Sequence, residues 1–320
     1  MIPCYNEEEN VQDIYEAVRN ELIHSCSEYE FEILFIDNKS KDGTRDIIRS
    51  ICAKDKRVKA IFNCKNFGQF SSPYYGILQT TGDCTITICA DFQDPVELIP
   101  KFVHEWEKGY KIVIGKKSKS RENPIMYFLR GCYYKIIKIM SNVEMIEQFT
   151  GFGLYDKSFV ETMRQLKDPV PFIRGVVAEL GPEYKVIEYE QPKRRAGKTH
   201  NNFFTLYDAA MLSFTSYTKT GMRLATFIGL IIAGISFLIG LIYLIGKIAF
   251  WSKFTAGYAP IMISIFFMGG LQLAFLGFLG EYVMSINTRV MNRPLVIEEE
   301  RLNFDNIDTT DEQQTHEFNK

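Results

Sequence analysis

Asp91 and Gln93 stand two residues apart at the end of an apolar run, Thr85–Ala90, and both carry side-chain oxygens. Two such donors on a loop leaving a strand can face one hard cation. Mg2+ or Mn2+ takes a few protein oxygens and completes its shell with substrate phosphates. The same stretch reads equally as a helix start, with Asp94 as N-cap and Pro95 at the first helical position. Asp37-Asn38 ends a second apolar run, Phe31–Ile36. An acceptor there can meet the edge of a nucleobase, and it is also an ordinary turn residue. Arg194-Arg195-Ala196-Gly197-Lys198-Thr199 puts three cations and a hydroxyl on a glycine-containing loop. That is chemistry for a phosphate or an anionic headgroup, with arginine giving bidentate contacts. Arg130 and Arg174-Gly175 are further isolated cations.

The elements that must position these residues alternate between two periods. Val11, Ile14, Val18 and Leu22 mark one face of a helix. Asn6 is expected to cap it, with Glu7, Glu8 and Glu9 at the positive end of its dipole. Only Met1–Pro3 remain for a strand before it, short of the usual five or six residues. Phe31–Ile36 is a strand, Ile47, Ile48 and Ile51 mark a helix, and Val58–Phe62 is a third strand. Asn63–Gly68 is its loop, and Ser71 or Ser72 opens a helix to Thr81. Thr85–Ala90, an amphipathic helix over Val96–Trp106 and the strand Lys111–Gly115 follow. Strands alternating with helices predict βαβ units and a mostly parallel, Rossmann-like sheet with flanking helices. Asn123–Met140 reads as a helix, and Thr150–Tyr155 and Tyr184–Tyr189 as strands.

Beyond Lys219 the chain changes character. Leu224–Ile245 holds 22 residues without a charge and Tyr258–Gly280 holds 23. At 1.5 Å per residue each spans about 33 Å, enough for a bilayer core of about 30 Å. The expectation is a two-helix transmembrane hairpin with Lys247–Gly257 outside, after an interfacial helix over Asn202–Tyr217. Arg194, Arg195, Lys198, Lys219 and Arg223 before the first span, and Arg289 and Arg293 after the second, place the polar half and both termini inside. The domains expected are 1–201, an interfacial region 202–223, the spans within 224–284, and a tail 285–320. From Glu298 onward that tail is acidic, amide-rich and expected to be disordered.

Composition narrows the class. Thirty-seven Lys+Arg against 39 Asp+Glu, a net charge of −2, argue against a nucleic-acid partner. The mean hydropathy of −0.08 averages two unlike halves. Seven cysteines without a CxxC motif fit a reducing compartment, and four unpaired histidines argue against zinc. No leader precedes the polar half, which is therefore expected in the cytoplasm at the inner membrane.

Taken in order, IPCYNEEENV (Ile2–Val11), IDNKSKDGT (Ile36–Thr44), NFGQ (Asn66–Gln69), CADFQDPVE (Cys89–Glu97) and RRAGKTHNNF (Arg194–Phe203) resemble the motifs of glycosyltransferase family 2. The resemblance is to its membrane-anchored, polyprenyl-phosphate branch and runs from Ile2 to about Arg293. It implies a GT-A-type fold, a Mg2+ or Mn2+ ion at Asp91 and Gln93, and a nucleotide held around Pro3, Tyr5, Glu7, Asp37, Asn38, Asn66 and Asp91. It also implies that Arg130, Arg194 and Lys198 hold the lipid phosphate, with Gly151 and Arg174 lining the sugar and acceptor pocket. Four departures stand out: Cys89 replaces the first Asp of the family's DxD, Asn38 and Lys39 replace Asp-Gly, and His200 replaces Lys. The opening strand is also shorter than the family's, which implies either a start further upstream or a weakened edge of the donor pocket.

The implied reaction is inverting transfer of a hexose, glucose favoured, from a nucleotide-diphosphate sugar, UDP favoured, to a polyprenyl (undecaprenyl) phosphate. Its product would be a lipid-linked sugar for cell-surface glycan modification. A processive polysaccharide synthase of the same fold is disfavoured because neither Trp106 nor Trp251 lies in a QxxRW motif. A non-catalytic, membrane-tethered sugar- or lipid-binding partner is the rival from another class, with Cys89 in its favour. Gly269-Gly270, Gly277 and Gly280 would let spans approach closely, as a homo-oligomer needs.

Overall fold

The computed structural model describes residues 1–119, 146–166, 168–181, 183–192, 194–195, 211–212, 258–291 and 293–304, with isolated positions between 227 and 248. The chain divides into two compact units. One comprises Met1–Glu122, Ile146–His200 and Asn292–Lys320; the other comprises Asn123–Met145 and Asn201–Met291.

The first unit carries the alternating elements. They run β1 (Ile2–Cys4), α1 (Val11–Ser25), β2 (Ile33–Asp37), α2 (Thr44–Lys54), β3 (Val58–Asn63) and α3 (Gly68–Leu78). Next come β4 (Cys84–Thr87), a 3-10 turn (Val96–Leu98), α4 (Ile99–Glu107), β5 (Ile112–Lys119), β6 (Phe149–Asp156), α5 (Lys157–Gln165), α6 (Ile173–Leu180) and β7 (Tyr184–Glu190). One sheet has the order β1-β2-β3-β8, the other β4-β6-β5-β7, where β8 is Glu298–Leu302. The α-amino group of Met1 donates to Ile86 O at 2.7 Å and Ile88 N donates to Met1 O at 3.1 Å, so β1 lies beside the β4 segment.

Period-two alternation explains the layering. Ile33 and Phe35 of β2 and Val58, Ala60 and Phe62 of β3 pack with Val11, Ile14 and Val18 of α1, Ile48 and Ile51 of α2, and Ile99 and Phe102 of α4. Their neighbours Leu34, Ile36 and Ile61 turn the other way, toward Tyr74 and Ile77 of α3, Phe159, Val160 and Met163 of α5, and Val176 and Val177 of α6. Strands buried on both faces read as continuous apolar runs, which is why β2 and β3 are plain in the sequence.

The expected mostly parallel sheet is corrected to a mixed one. β1-β2, β2-β3 and β5-β7 pair parallel, while β3-β8, β4-β6 and β5-β6 pair antiparallel. Apolar periodicity reports which face is buried and carries no sign of strand direction. β4 closes at Thr87, short of Ala90, and α3 starts at Gly68, ahead of the serines. Asn6 is not a cap: its φ is +55°, and its Oδ1 accepts from Lys41 N at 2.8 Å across the adjacent loop. The tail is corrected too, because Glu298–Leu302 forms an edge strand on β3, with Arg49 and Glu300 paired at 2.7 Å.

In the second unit, α7 (Tyr258–Val290) runs 33 residues, ten beyond the expected end at Gly280. Its stretch Phe267–Val290 has a mean hydropathy of 1.3 and is, among the described residues, the one helix long and apolar enough to cross a membrane. The first expected span lies largely outside the described residues, though the described positions from Phe227 to Ile248 are helical. The helix expected over 123–140, most of the interfacial segment and residues 305–320 also lie outside them.

Candidate functional site

Strand order supplies the site's location. From β1 the chain builds outward to β2 and β3 on one side and crosses to β4 on the other, so the order reverses between β1 and β4. Ligands of open α/β sheets bind outside the carboxyl ends of the strands at such a reversal. The carboxyl ends there are Cys4, Asp37, Asn63 and the segment leading to Asp91. Cys4 pairs with Asp37, Asp37 pairs with Phe62, and Asn38 N donates to Cys4 O at 2.9 Å. Pro3 and Tyr5 therefore flank the β1 residue that lies beside Asp37.

Asp37 is fully buried at the tip of β2. Ser40 N donates to its Oδ2 at 3.1 Å, and Arg45 Nε from the first turn of α2 sits 3.2 Å from the same oxygen. Burial pushes its carboxyl pKa upward, opposed by the Ser40 contacts and the Arg45 charge. Asn38 spends its side chain inside the protein. Its Nδ2 donates to Asn66 Oδ1 at 3.0 Å and Gly68 O at 3.1 Å. Its Oδ1 accepts from Phe67 N at 2.8 Å and Asn63 Nδ2 at 3.2 Å. Both donors and both lone pairs are in use, so Asn38 shapes the loop that presents the exposed Asn66. Glu7 N donates to Thr44 Oγ1 at 2.8 Å and Glu7 Oε2 accepts from Asn10 Nδ2 at 2.7 Å, locking the β1–α1 turn to α2.

Asp91 is buried at 5 % exposure. Gln93 N donates to its Oδ1 at 3.1 Å, a turn made possible by Phe92 at φ +60°. A bulky residue in that region is strained by about 1–3 kcal/mol, a cost that clusters at functional sites. Arg194 Nη2 donates to Asp91 Oδ2 at 2.8 Å, and Arg195 N reaches Asp91 O at 3.4 Å. Arg195 also lies over the Phe92 ring, 5.2 Å from its centroid, and pairs with Asp13 at 2.8 Å. Two motifs 103 residues apart thus meet at one carboxylate. Arg130 and Lys198 lie outside the described residues.

Asp94 does not cap a helix. It is buried; its Oδ2 accepts from Cys89 N at 3.0 Å and its Oδ1 from Tyr189 OH at 3.1 Å. The carboxylate braces both ends of the Asp91 turn, and burial raises its pKa. Gly151 (φ +104°) offers its carbonyl to Thr87 Oγ1 and, at 2.8 Å, to Tyr155 OH. Arg174 lies 4.6 Å over the Phe172 ring and donates to Phe149 O at 3.5 Å, tying it to the start of β6. Arg45 and Tyr189 carry no local motif, and Asp94 reads from sequence only as a helix cap; the role of each depends on a partner far along the chain.

Among the described residues no cluster of three or more His, Cys, Asp and Glu could hold a metal. The single carboxylate of Asp91 is compatible with a hard cation, because Mg2+ is commonly held by one or two carboxylates and finishes its shell with substrate phosphates and water.

The acid–arginine pair lies at the point where open α/β sheets hold their ligands, and comparison with known proteins gives the class. Residues 1–164 match the profile described as Glycosyl transferase family 2. The chain is 34 % identical over 295 residues to a bactoprenol glucosyl transferase of Shigella phage SfX, covering 92 % of this chain and 96 % of that one. It is 31 % identical over 298 residues to a prophage bactoprenol glucosyl transferase homolog of Escherichia coli K12, covering 93 % and 96 %. A mannosyl-3-phosphoglycerate synthase structure from Rubrobacter xylanophilus aligns with TM-score 0.48 at 13 % identity, covering 71 % of this chain and 73 % of that one. The chain belongs to glycosyltransferase family 2: it is a glycosyltransferase with a GT-A-like α/β fold.

Proposed function

We propose that the protein transfers a hexose, glucose favoured, from a UDP-sugar to a polyprenyl phosphate at the cytoplasmic face of the inner membrane. The observation that carries this reading is the Arg194–Asp91 pair. It places a cation from the basic loop that precedes the apolar segments against the one carboxylate expected to meet the donor diphosphate. The similar proteins named bactoprenol glucosyl transferase support a polyprenyl acceptor and a glucosyl donor.

In this reading Asp37 accepts a hydrogen bond from the base, while Pro3, Tyr5 and Asn66 shape the edge around it. Asp91 and Gln93 would hold a Mg2+ or Mn2+ ion, which when bound neutralises charge on the diphosphate. Arg194, with Lys198 and Arg130, holds the acceptor phosphate, and Gly151 and Arg174 border the sugar. An acceptor oxygen attacks the anomeric carbon, the bond from that carbon to the nucleotide diphosphate breaks, and its electron pair leaves with the diphosphate. The second phosphate pKa is about 6, so the acceptor is already an anion and no general base is required. Positioning and charge supply the acceleration, and single displacement inverts the anomeric centre. The apolar segments are proposed to form a two-helix hairpin with both termini inside.

A screen of labelled UDP- and GDP-sugars with purified protein and undecaprenyl phosphate tests the reading. A chloroform-soluble labelled product with inverted configuration is expected from a UDP-hexose. Nucleotide binding without any lipid product across the screen would instead favour the sugar-binding partner.

A further inference from the structure

The strand that follows the membrane-type helix pairs with β3, the neighbour of the strand that ends at Asp37. β3 and β8 pair as Ile61↔Arg301, Phe62↔Glu300 and Asn63↔Glu298, so Glu299 is the extra residue of a β-bulge. Bulges re-aim a side chain next to a functional site. This one lies opposite Phe62, the residue that pairs with Asp37 on the next strand.

Glu299 Oε2 accepts from Arg45 Nη2 at 2.8 Å and from Lys39 Nζ at 2.7 Å. The same guanidinium has its Nε 3.2 Å from Asp37 Oδ2, an ion pair without hydrogen-bond alignment, and lies 4.9 Å over the Phe62 ring. Arg45 is 14 % exposed and Asp37 not at all, whereas Glu299 is 44 % exposed. A planar guanidinium fixed at two edges and one face has little freedom. Lys39, at φ +65°, is the second contact, so Glu299 grips the loop on both sides of Ser40, the residue whose N–H meets Asp37.

We propose that Glu299 and Arg45 are positioning residues for the donor. Through Arg45, the bulge on β8 orients the buried Asp37 carboxylate toward the nucleobase, so that donor affinity depends on a strand encoded after the membrane segment. The inference rests on the reading of Asp37 as the base contact.

The test measures UDP binding to full-length, detergent-solubilised protein by calorimetry, alongside donor KM and kcat. Glu299→Gln and Arg45→Met are each expected to weaken UDP roughly three- to thirty-fold, the range of coupling between contacting charged groups. The double variant should be no weaker than Arg45→Met alone, and kcat at saturating donor should hold. Glu300→Gln removes the neighbouring Arg49 pair on the same edge without approaching Asp37, and UDP affinity is expected to be unchanged. A merely structural edge would make Glu300→Gln and Glu299→Gln alike, which overturns the inference. So do single variants within twofold of the parent, or additive losses in the double, while Asp37→Asn still weakens UDP. If Asp37→Asn itself leaves UDP affinity unchanged, the base-contact reading fails and the inference with it.

Discussion

Asp91, Gln93 and Asp37 are polar breaks at the ends of apolar runs, and Arg194 is a cation on a glycine-containing loop, which is what marks them as candidates. What the residues do to each other was not legible in the sequence. Asp94 looks like a helix cap because Pro95 follows it, yet its carboxylate accepts from Cys89 N and Tyr189 OH, the latter 95 positions away. Asp94→Ala should leave the buried Tyr189 hydroxyl and the partly buried Cys89 N–H without acceptors, the first costing about 1–3 kcal/mol and the second less. We expect thermal unfolding to show a loss of about 2–4 kcal/mol, and Tyr189→Phe to lose less because no buried donor is then left unmet. Equal stability in Asp94→Ala and the parent would refute the brace.

At the scale of elements, the βα units from α1 to β3 follow from periods of two and three to four, and they fold as read. Two features escaped. Strand direction has no signature in a short apolar run, so Thr150–Tyr155 reads as a strand without any sign that it runs antiparallel between β4 and β5. Its position depends on Gly153, where a Cβ would meet Val113 O at 2.5 Å. Gly153→Ala is therefore expected to disrupt β5-β6 pairing and lower the melting temperature, and an unchanged melt would count against that packing. The second feature is β8, whose Glu298-Glu299-Glu300 reads as disordered because the cations that neutralise it, Lys39, Arg45 and Arg49, belong to a distant segment.

Hydrogen bonds from Lys39 and Arg45 hold Glu299 down to a pKa of about 2, below its ordinary 4.5. A depressed carboxyl contributes stability that is complete above the ordinary value and is lost as pH falls through the folded one. Hydrogen exchange corrected for intrinsic rates should show β8 protection falling between pH 4.5 and 2, a fall blunted in Glu299→Gln. Protection indifferent to pH across that window would contradict the pairing.

The chain joins a polar α/β unit to an apolar one. In the latter, residues such as Leu273 and Leu276 stand 70 % and 64 % exposed. Surface of that kind argues for a lipid environment. The proposed orientation puts the exposed Ala53 in the cytoplasm, and Ala53→Cys presents an accessible thiol there. A membrane-impermeant maleimide should label that variant in inside-out vesicles and leave it unlabelled in intact cells. Labelling in intact cells would reverse the proposed topology.

We propose that the carboxylate of Asp91 serves transfer of a sugar from UDP to a lipid phosphate. The most direct measurement of that role is the rate at which purified protein converts UDP-[14C]glucose and undecaprenyl phosphate into a chloroform-soluble product, with Asp91→Ala beside the parent. Steady product formation is expected of the parent and a loss of about a hundredfold or more of Asp91→Ala, with both proteins still extracted from membranes in folded form. Comparable turnover by Asp91→Ala would contradict it.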